Sequence, residues 1–191
     1  MKWVFLVVAL FALELTWAMK LFRGPCPQNM TAMKNLDINN FMGKWYIHSK
    51  YPPIPDKVSR CQSVVFRQDN ETNPYIEKRM LSSQTDTVVF QKAEILKWEP
   101  EAGRYVQDTK NKAFPKGIQI YILDTDYTNY AIRFMCFDTN KIFSFHWAVL
   151  QFRRRVPNAE VVYNAQKIAR ENGVKISLFV NVPQNACPSD T

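Results

Sequence analysis

The chain has 191 residues, of which 47% are hydrophobic and 22% are charged, and its formal net charge is +8. This length suits one domain with a sizeable hydrophobic core. A basic chain can attract acidic surfaces or nucleic acid, but the basic residues are scattered and their only run of three is Arg153-Arg154-Arg155, so we predict no nucleic-acid binding.

The N-terminal segment has the composition of a secretory leader. It contains an apolar run from Trp3 to Leu13, and Thr16 and Ala18 are small residues of the kind that a signal peptidase reads. The run is too short to span a bilayer stably. We therefore expect residues 1–18 to be a signal peptide and residues 19–191 to form a single extracellular domain.

Four cysteines indicate an oxidising compartment. An even number of cysteines in an exported chain predicts two disulfides, although the sequence alone allows three pairings. There is no Cys-x-x-Cys spacing, so neither a zinc site nor thioredoxin chemistry is expected. The sequons at Asn29 and Asn70 are predicted glycosylation sites. The four cysteines are Cys26, Cys61, Cys136 and Cys187.

After an irregular arm over residues 19–40, eight short runs rich in β-branched and aromatic residues follow one another. They cover residues 45–51, 61–67, 75–81, 87–96, 104–109, 118–123, 130–137 and 142–152. No helical pattern separates them, which favours a meander over βαβ units. Closure removes the exposed edges of such a sheet. We predict an all-β fold, an eight-stranded antiparallel up-and-down barrel over about residues 43–153.

Residues 158–172 change to a helical period, with apolar residues every third or fourth position. Pro157 or Asn158 can start this helix and Gly173 can end it. One apolar stripe and one charged stripe predict a helix packed on the outside of the barrel. A short run, 175–180, can add a final strand.

Three motifs in a fixed order carry a family resemblance. Gly43-Lys44-Trp45-Tyr46 is followed about eighty residues later by Thr125-Asp126-Tyr127, and Arg153-Arg154-Arg155 follows the last strand. Over residues 26–188 the chain resembles the lipocalin family, most closely its branch of apolipoprotein D and the insect bilin-binding proteins. The resemblance implies that Trp45 plugs the closed barrel end and that an arginine lies across its ring. The alignment favours Arg153, and Arg154 or Arg155 is the alternative.

The resemblance also implies the disulfides Cys26–Cys136 and Cys61–Cys187. Side chains alternate across a strand, so if Cys61 and Cys136 face outward, their neighbours in the strand face inward. Trp45 and Arg153 predict in the same way which residues face inward in the first and last barrel strands. Gln62 and Phe137 are also predicted to face inward. For 118–123 both faces are apolar and no phase is chosen. The predicted ligand-binding residues are Ile47, Ser49, Tyr51, Val64, Phe66, Ala131, Arg133, Met135, Phe143, Phe145, Trp147 and Val149.

A wall of this composition is typical of a small-molecule site. The alternative is an interior that is filled by side chains, as in some small barrels. Arg133 departs from the family, which usually has an apolar or neutral residue there. It either meets an anionic group of the ligand, or lies at the mouth in solvent or beside an acidic neighbour.

The sequence therefore predicts a secreted lipocalin that binds and transports a small hydrophobic ligand, such as a fatty acid or other lipid, a retinoid or terpenoid, or a bilin. The alternative is an interaction scaffold whose loops or basic face bind a receptor or membrane surface. We expect no enzyme, cofactor or metal site, since His48 and His146 are predicted to face outward and the cysteines are paired.

Overall fold

The computed structural model describes residues 20–27, 31–51, 59–68, 74–110, 114–139 and 142–189. The expected signal peptide and the two sequon asparagines, Asn29 and Asn70, lie outside these residues. Within them, no helix combines the length and apolar character that are needed to cross a bilayer.

The described chain forms one antiparallel sheet that closes on itself. Strands β2 to β9 follow one another in order around the sheet, and β9 pairs back with β2 to complete an eight-stranded up-and-down barrel. This confirms the predicted fold. The strands are β1 (Lys20–Arg23), β2 (Gly43–Tyr51), β3 (Ser59–Arg67), β4 (Tyr75–Ser82), β5 (Val88–Glu99), β6 (Arg104–Gln107), β7 (Ile118–Thr125), β8 (Tyr130–Thr139), β9 (Phe143–Phe152) and β10 (Val180–Asn181).

The N-terminal arm is more regular than the sequence suggested. Strand β1 pairs with residues 143–146 of β9, the half of that strand that β2 does not reach, because β2 pairs only with residues 148–152. Without β1, the backbone N–H and C=O groups along this edge of β9 would have no strand to pair with, and β1 pairs with them. A short helix, α1 (Ile38–Phe41), begins where the Asp37 side chain accepts a hydrogen bond from the Asn40 backbone N–H at 3.1 Å.

The helix α2 (Ala159–Glu171) packs on the outer face of the barrel, as predicted. Asn158 caps its first turn by accepting a hydrogen bond from the Glu160 N–H. Ala165 and Ala169 are fully buried in the cluster between helix and sheet, and their small side chains allow a close approach. The segment after the helix differs from the single strand predicted for 175–180: it is a 3₁₀ turn, Ile176–Leu178, followed by β10.

Both disulfides join the pairs that the resemblance implied. Cys26–Cys136 ties the N-terminal arm to β8, and Cys61–Cys187 ties the C-terminal tail to β3. The barrel wall separates two apolar cores, one inside the barrel and one between the barrel and α2. The inner core therefore decides what space is left for a ligand.

Candidate ligand cavity

The closed end of the barrel is held by Trp45 and Arg153. Trp45 is fully buried, and the Arg153 guanidinium carbon lies 3.7 Å from the centre of one of its rings. Of the three candidate arginines, Arg153 therefore takes this position. Its guanidinium also donates hydrogen bonds of 2.7–3.0 Å to the backbone carbonyls of Asn40, Met42, Lys44 and Tyr127.

The turn between β7 and β8 contributes to the same end. Asp126 Oδ1 accepts hydrogen bonds from the backbone N–H groups of Thr128, Asn129 and Tyr130. Partial burial raises the pKa of the Asp126 carboxyl, but these hydrogen bonds outweigh it and keep the pKa below its ordinary value. The Tyr127 backbone adopts φ 64° and its carbonyl accepts from Arg153. The motif residues Thr125, Asp126 and Tyr127 thus build the closed end and not a ligand site.

Five aromatic rings fill the lower half of the barrel. Their nearest centroids are 4.9–6.4 Å apart, mostly in tilted or edge-to-face arrangements. This aromatic plug consists of Phe41, Trp45, Phe66, Trp98 and Tyr105. The interior is therefore filled only in part, and a cavity lies above the plug.

The cavity has a volume of about 470 Å³, within the range of about 300–1,000 Å³ that is usual for small-molecule sites. It reaches the surface, since exposed residues such as Gln91 and Lys110 belong to its wall. Six of the twelve predicted ligand-binding residues line it, and they come from β2, β3, β8 and β9. They are Ile47, Val64, Arg133, Met135, Trp147 and Val149.

The predictions for Ser49 and Tyr51 are wrong. The pairing of β2 with β9 shifts between Ile47 and Ser49, and this bulge at His48 reverses the alternation of the residues that follow. Ser49 pairs with Leu150 of the outer core, and Tyr51 packs in that outer core. Lys50 lines the cavity in their place.

Four further predictions miss the cavity for other reasons. Phe66 and Ala131 are inside the barrel but below the cavity, in the inner core. Phe143 and Phe145 do not line it; they lie on β9 beyond Trp147, and Phe143 is 40% exposed. Alternation along a strand predicts which side chains share a face, but it does not predict their depth along the barrel axis.

Arg133 is not at the mouth, and it is only 3% exposed. Its Nη1 donates to the Tyr105 hydroxyl at 3.0 Å, and its guanidinium carbon is 5.4 Å and 5.3 Å from ring centres of Phe66 and Trp147. Among the residues that the structure describes, no carboxylate lies within 4.0 Å of it. Burial raises the pKa of Tyr105, although the neighbouring Arg133 acts against this, so Tyr105 is a neutral partner.

Sequence reasoning missed the wall that β4 to β7 contribute. No cysteine or motif residue shows which face of these strands points inward, so the sequence does not predict which of their alternating side chains line the barrel. The structure turns Ile118 and Ile120 of β7 inward, which resolves the strand whose two faces were both apolar. On β4, Ile76 and Lys78, which are two positions apart, also line the cavity.

The two histidines lie outside the barrel interior. The His146 ring stacks on Phe22 at 4.1 Å, and the His48 ring lies against Phe152 of the outer core. In the described part of the chain, no group of three or more potential ligands could hold a metal ion. All four cysteines are in disulfides.

Comparisons with known proteins agree with this geometry. The model of the lipocalin / cytosolic fatty-acid binding protein family matches residues 42–186. Apolipoprotein D from Cavia porcellus is 27% identical over 175 residues, covering 86% of this chain and 85% of the relative. Apolipoprotein D from Bos taurus is 27% identical over 171 residues, with the same coverage.

Solved structures show the same fold at lower identity. Insecticyanin from the tobacco hornworm Manduca sexta superposes with a TM-score of 0.71 at 16% identity, covering 86% of this chain and 88% of that one. Lobster apocrustacyanin A1 gives a TM-score of 0.66 at 17% identity, covering 86% and 97%. With the family model spanning most of the chain, this protein belongs to the lipocalin / cytosolic fatty-acid binding protein family.

Proposed function

We propose that this chain is a secreted, extracellular carrier that binds and transports a small hydrophobic molecule inside its barrel. The observation that carries the proposal is the cavity of about 470 Å³ above the aromatic plug. Its wall includes aliphatic side chains from strands around the barrel, among them Ile47, Val64, Ile76, Ile120 and Val149. Such aliphatic side chains can bury the apolar part of a ligand.

The energetics favour reversible binding. A ligand that buries roughly 300 Å² of apolar area gains on the order of 7 kcal/mol, before the loss of its own freedom is subtracted. Since about 7 kcal/mol corresponds to a dissociation constant on the order of 10 μM, apolar burial of this extent supports reversible binding without a covalent bond. Export is supported by the two disulfides, which persist in oxidising compartments, and by the leader-like residues 1–18.

The direct test is native mass spectrometry of the protein purified from its own tissue, with extraction and identification of any bound small molecule. Recombinant protein is then titrated with a panel that contains a fatty acid, retinol, a sterol and biliverdin. We expect at least one of these to bind with 1:1 stoichiometry. A barrel that arrives empty and takes up none of them would refute the carrier function and favour an interaction scaffold.

A pair of variants on β5 shows whether binding occurs in the cavity. Ala93 lines the cavity, so Ala93→Trp fills part of it and is expected to weaken binding by about tenfold or more. Leu96 lies on the same strand, is 48% exposed and does not line the cavity, so Leu96→Trp is the matched control. Equal binding by both variants would place the ligand elsewhere.

A further inference from the structure

Building on the proposed carrier function, we infer that the cavity selects amphiphiles with an acidic head group, and that Arg133 binds this group at the cavity floor. The tail then extends toward the open end. Arg133 and Val149 are the last lining residues of β8 and β9 on the side of the aromatic plug, since Ala131 and Gln151, the next inner residues, do not line the cavity. The guanidinium therefore lies at the plug end of the cavity, against Tyr105 and Phe66.

The surroundings of Arg133 leave its charge poorly compensated. A guanidinium has five N–H donors, and the described residues supply one hydrogen-bond acceptor, the neutral Tyr105 hydroxyl. Arg133 Nε is buried without a hydrogen-bond partner. The rings of Phe66 and Trp147 contribute cation–π contacts at 5.3–5.4 Å, which offset only part of the cost of burying a charge. A carboxylate or phosphate would supply the missing acceptors and the opposite charge.

A second buried cation lies two strands away on the same inner wall. Val149 is the register partner of Lys50 on one side and of Arg133 on the other, so the two Cα atoms are two strand spacings, about 10 Å, apart. Lys50 is 6% exposed, and its Nζ donates to Gln62 Oε1 at 3.0 Å. Both side chains are long enough to approach one anionic group placed over Val149.

The rest of the described wall adds to the positive field. Two more lysines line the cavity, Lys78 and Lys110, and Asp108 is the only acidic residue among the lining residues. Like charges concentrated in a low-dielectric cleft attract a ligand of the opposite charge. A neutral amphiphile of the same shape would displace water from Arg133 without replacing its hydrogen bonds, which costs affinity.

The test compares hexadecanoic acid with hexadecanol, which share a tail and differ in the head group, by calorimetric titration of the full mature protein. We expect the acid to bind about tenfold tighter or more, the effect of a charge-assisted hydrogen bond. Arg133→Met should abolish most of this preference while binding the alcohol at least as well as the wild type does. Retained alcohol binding also shows that this variant is folded.

Two further variants locate the effect. Lys50→Met should reduce the acid preference by a smaller factor, because the ammonium is a second, adjacent charge. Arg170→Gln removes one positive charge from an exposed position on α2 and should leave the preference unchanged. A preference that survives Arg133→Met would overturn the assignment of Arg133 to the head group.

The outcomes separate this inference from the carrier function on which it rests. Equal affinity of the wild type for acid and alcohol would overturn the inference and leave the carrier function intact. Failure of the wild type to bind acid, alcohol or any member of the wider panel would overturn both. Dodecyl phosphate bound tighter than dodecanoic acid would identify a phosphate as the preferred head group and support the acidic class.

Discussion

Replacing Arg153 tests whether one side chain holds the closed end of the barrel together. Its guanidinium joins α1, the start of β2 and the β7–β8 turn through four hydrogen bonds of 2.7–3.0 Å, and it covers Trp45. Lysine keeps the charge but not the planar fork. With about three hydrogen bonds lost at about 1 kcal/mol each, we expect Arg153→Lys to lower the free energy of unfolding by about 3 kcal/mol.

Arg153→Met removes all four hydrogen bonds and the cation–π contact, for a total of about 5 kcal/mol. The neighbouring Arg154 is exposed, and Arg154→Met is the matched control, with an expected change below about 0.5 kcal/mol. The assay is equilibrium urea unfolding with both disulfides intact, followed by tryptophan fluorescence. If the substitutions at 153 and 154 cost the same, the guanidinium network does not stabilise the closed end.

Three other predictions address the turns and the cavity. Gly103 has φ 57°, and a Cβ there would lie 1.9 Å from the Met33 carbonyl oxygen, so Gly103→Ala should cost about 3 kcal/mol or more in thermal unfolding; a small change would mean that the 33–36 segment moves freely. Because the pKa of Asp126 is depressed in the folded state, its carboxylate stabilises the fold above the ordinary aspartate pKa, and this contribution is lost as the pH falls through the folded value. Asp126→Asn should therefore cost about 1 kcal/mol near neutral pH after solvent screening, and urea midpoints of mutant and wild type should converge in acid; a constant gap would refute this. Each added methylene in a series of saturated ligands should improve affinity about fourfold, or about 0.8 kcal/mol, until the tail reaches the open end; calorimetry showing no length dependence would argue against burial of the tail.

The fold and the closed end were predictable because several independent sequence signals agree on them. Turn-separated β-branched runs predict the strands, and the motif around Trp45 and the triple arginine identify which end is closed. The structure decides among the three arginines by distance. The helix could also be placed from its period, since its apolar stripe has only one surface to cover.

The cavity wall was only half predictable, and the reason is local backbone geometry. Strict alternation is broken by one extra residue in β2, and no feature of the sequence Ile47-His48-Ser49 announces that bulge. Because of this bulge, Lys50 faces the barrel interior, whereas Ser49 and Tyr51 face outward. Depth is the second unknown: Phe66 and Arg133 both face inward, but only the folded packing shows that one belongs to the plug and the other to the floor.

The two disulfides interlock along the chain, since their partners alternate in the order Cys26, Cys61, Cys136 and Cys187. If the chain is exported as proposed, Cys26 and Cys61 emerge first, and Cys136, the native partner of Cys26, follows Cys61 only after roughly 75 further residues, on the order of 4 to 15 s of synthesis. In an oxidising lumen, a bond between the first two thiols has this interval in which to form. Maturation of the protein would then depend on thiol–disulfide exchange to release Cys61 for its distant partner, which makes an isomerase a determinant of its yield.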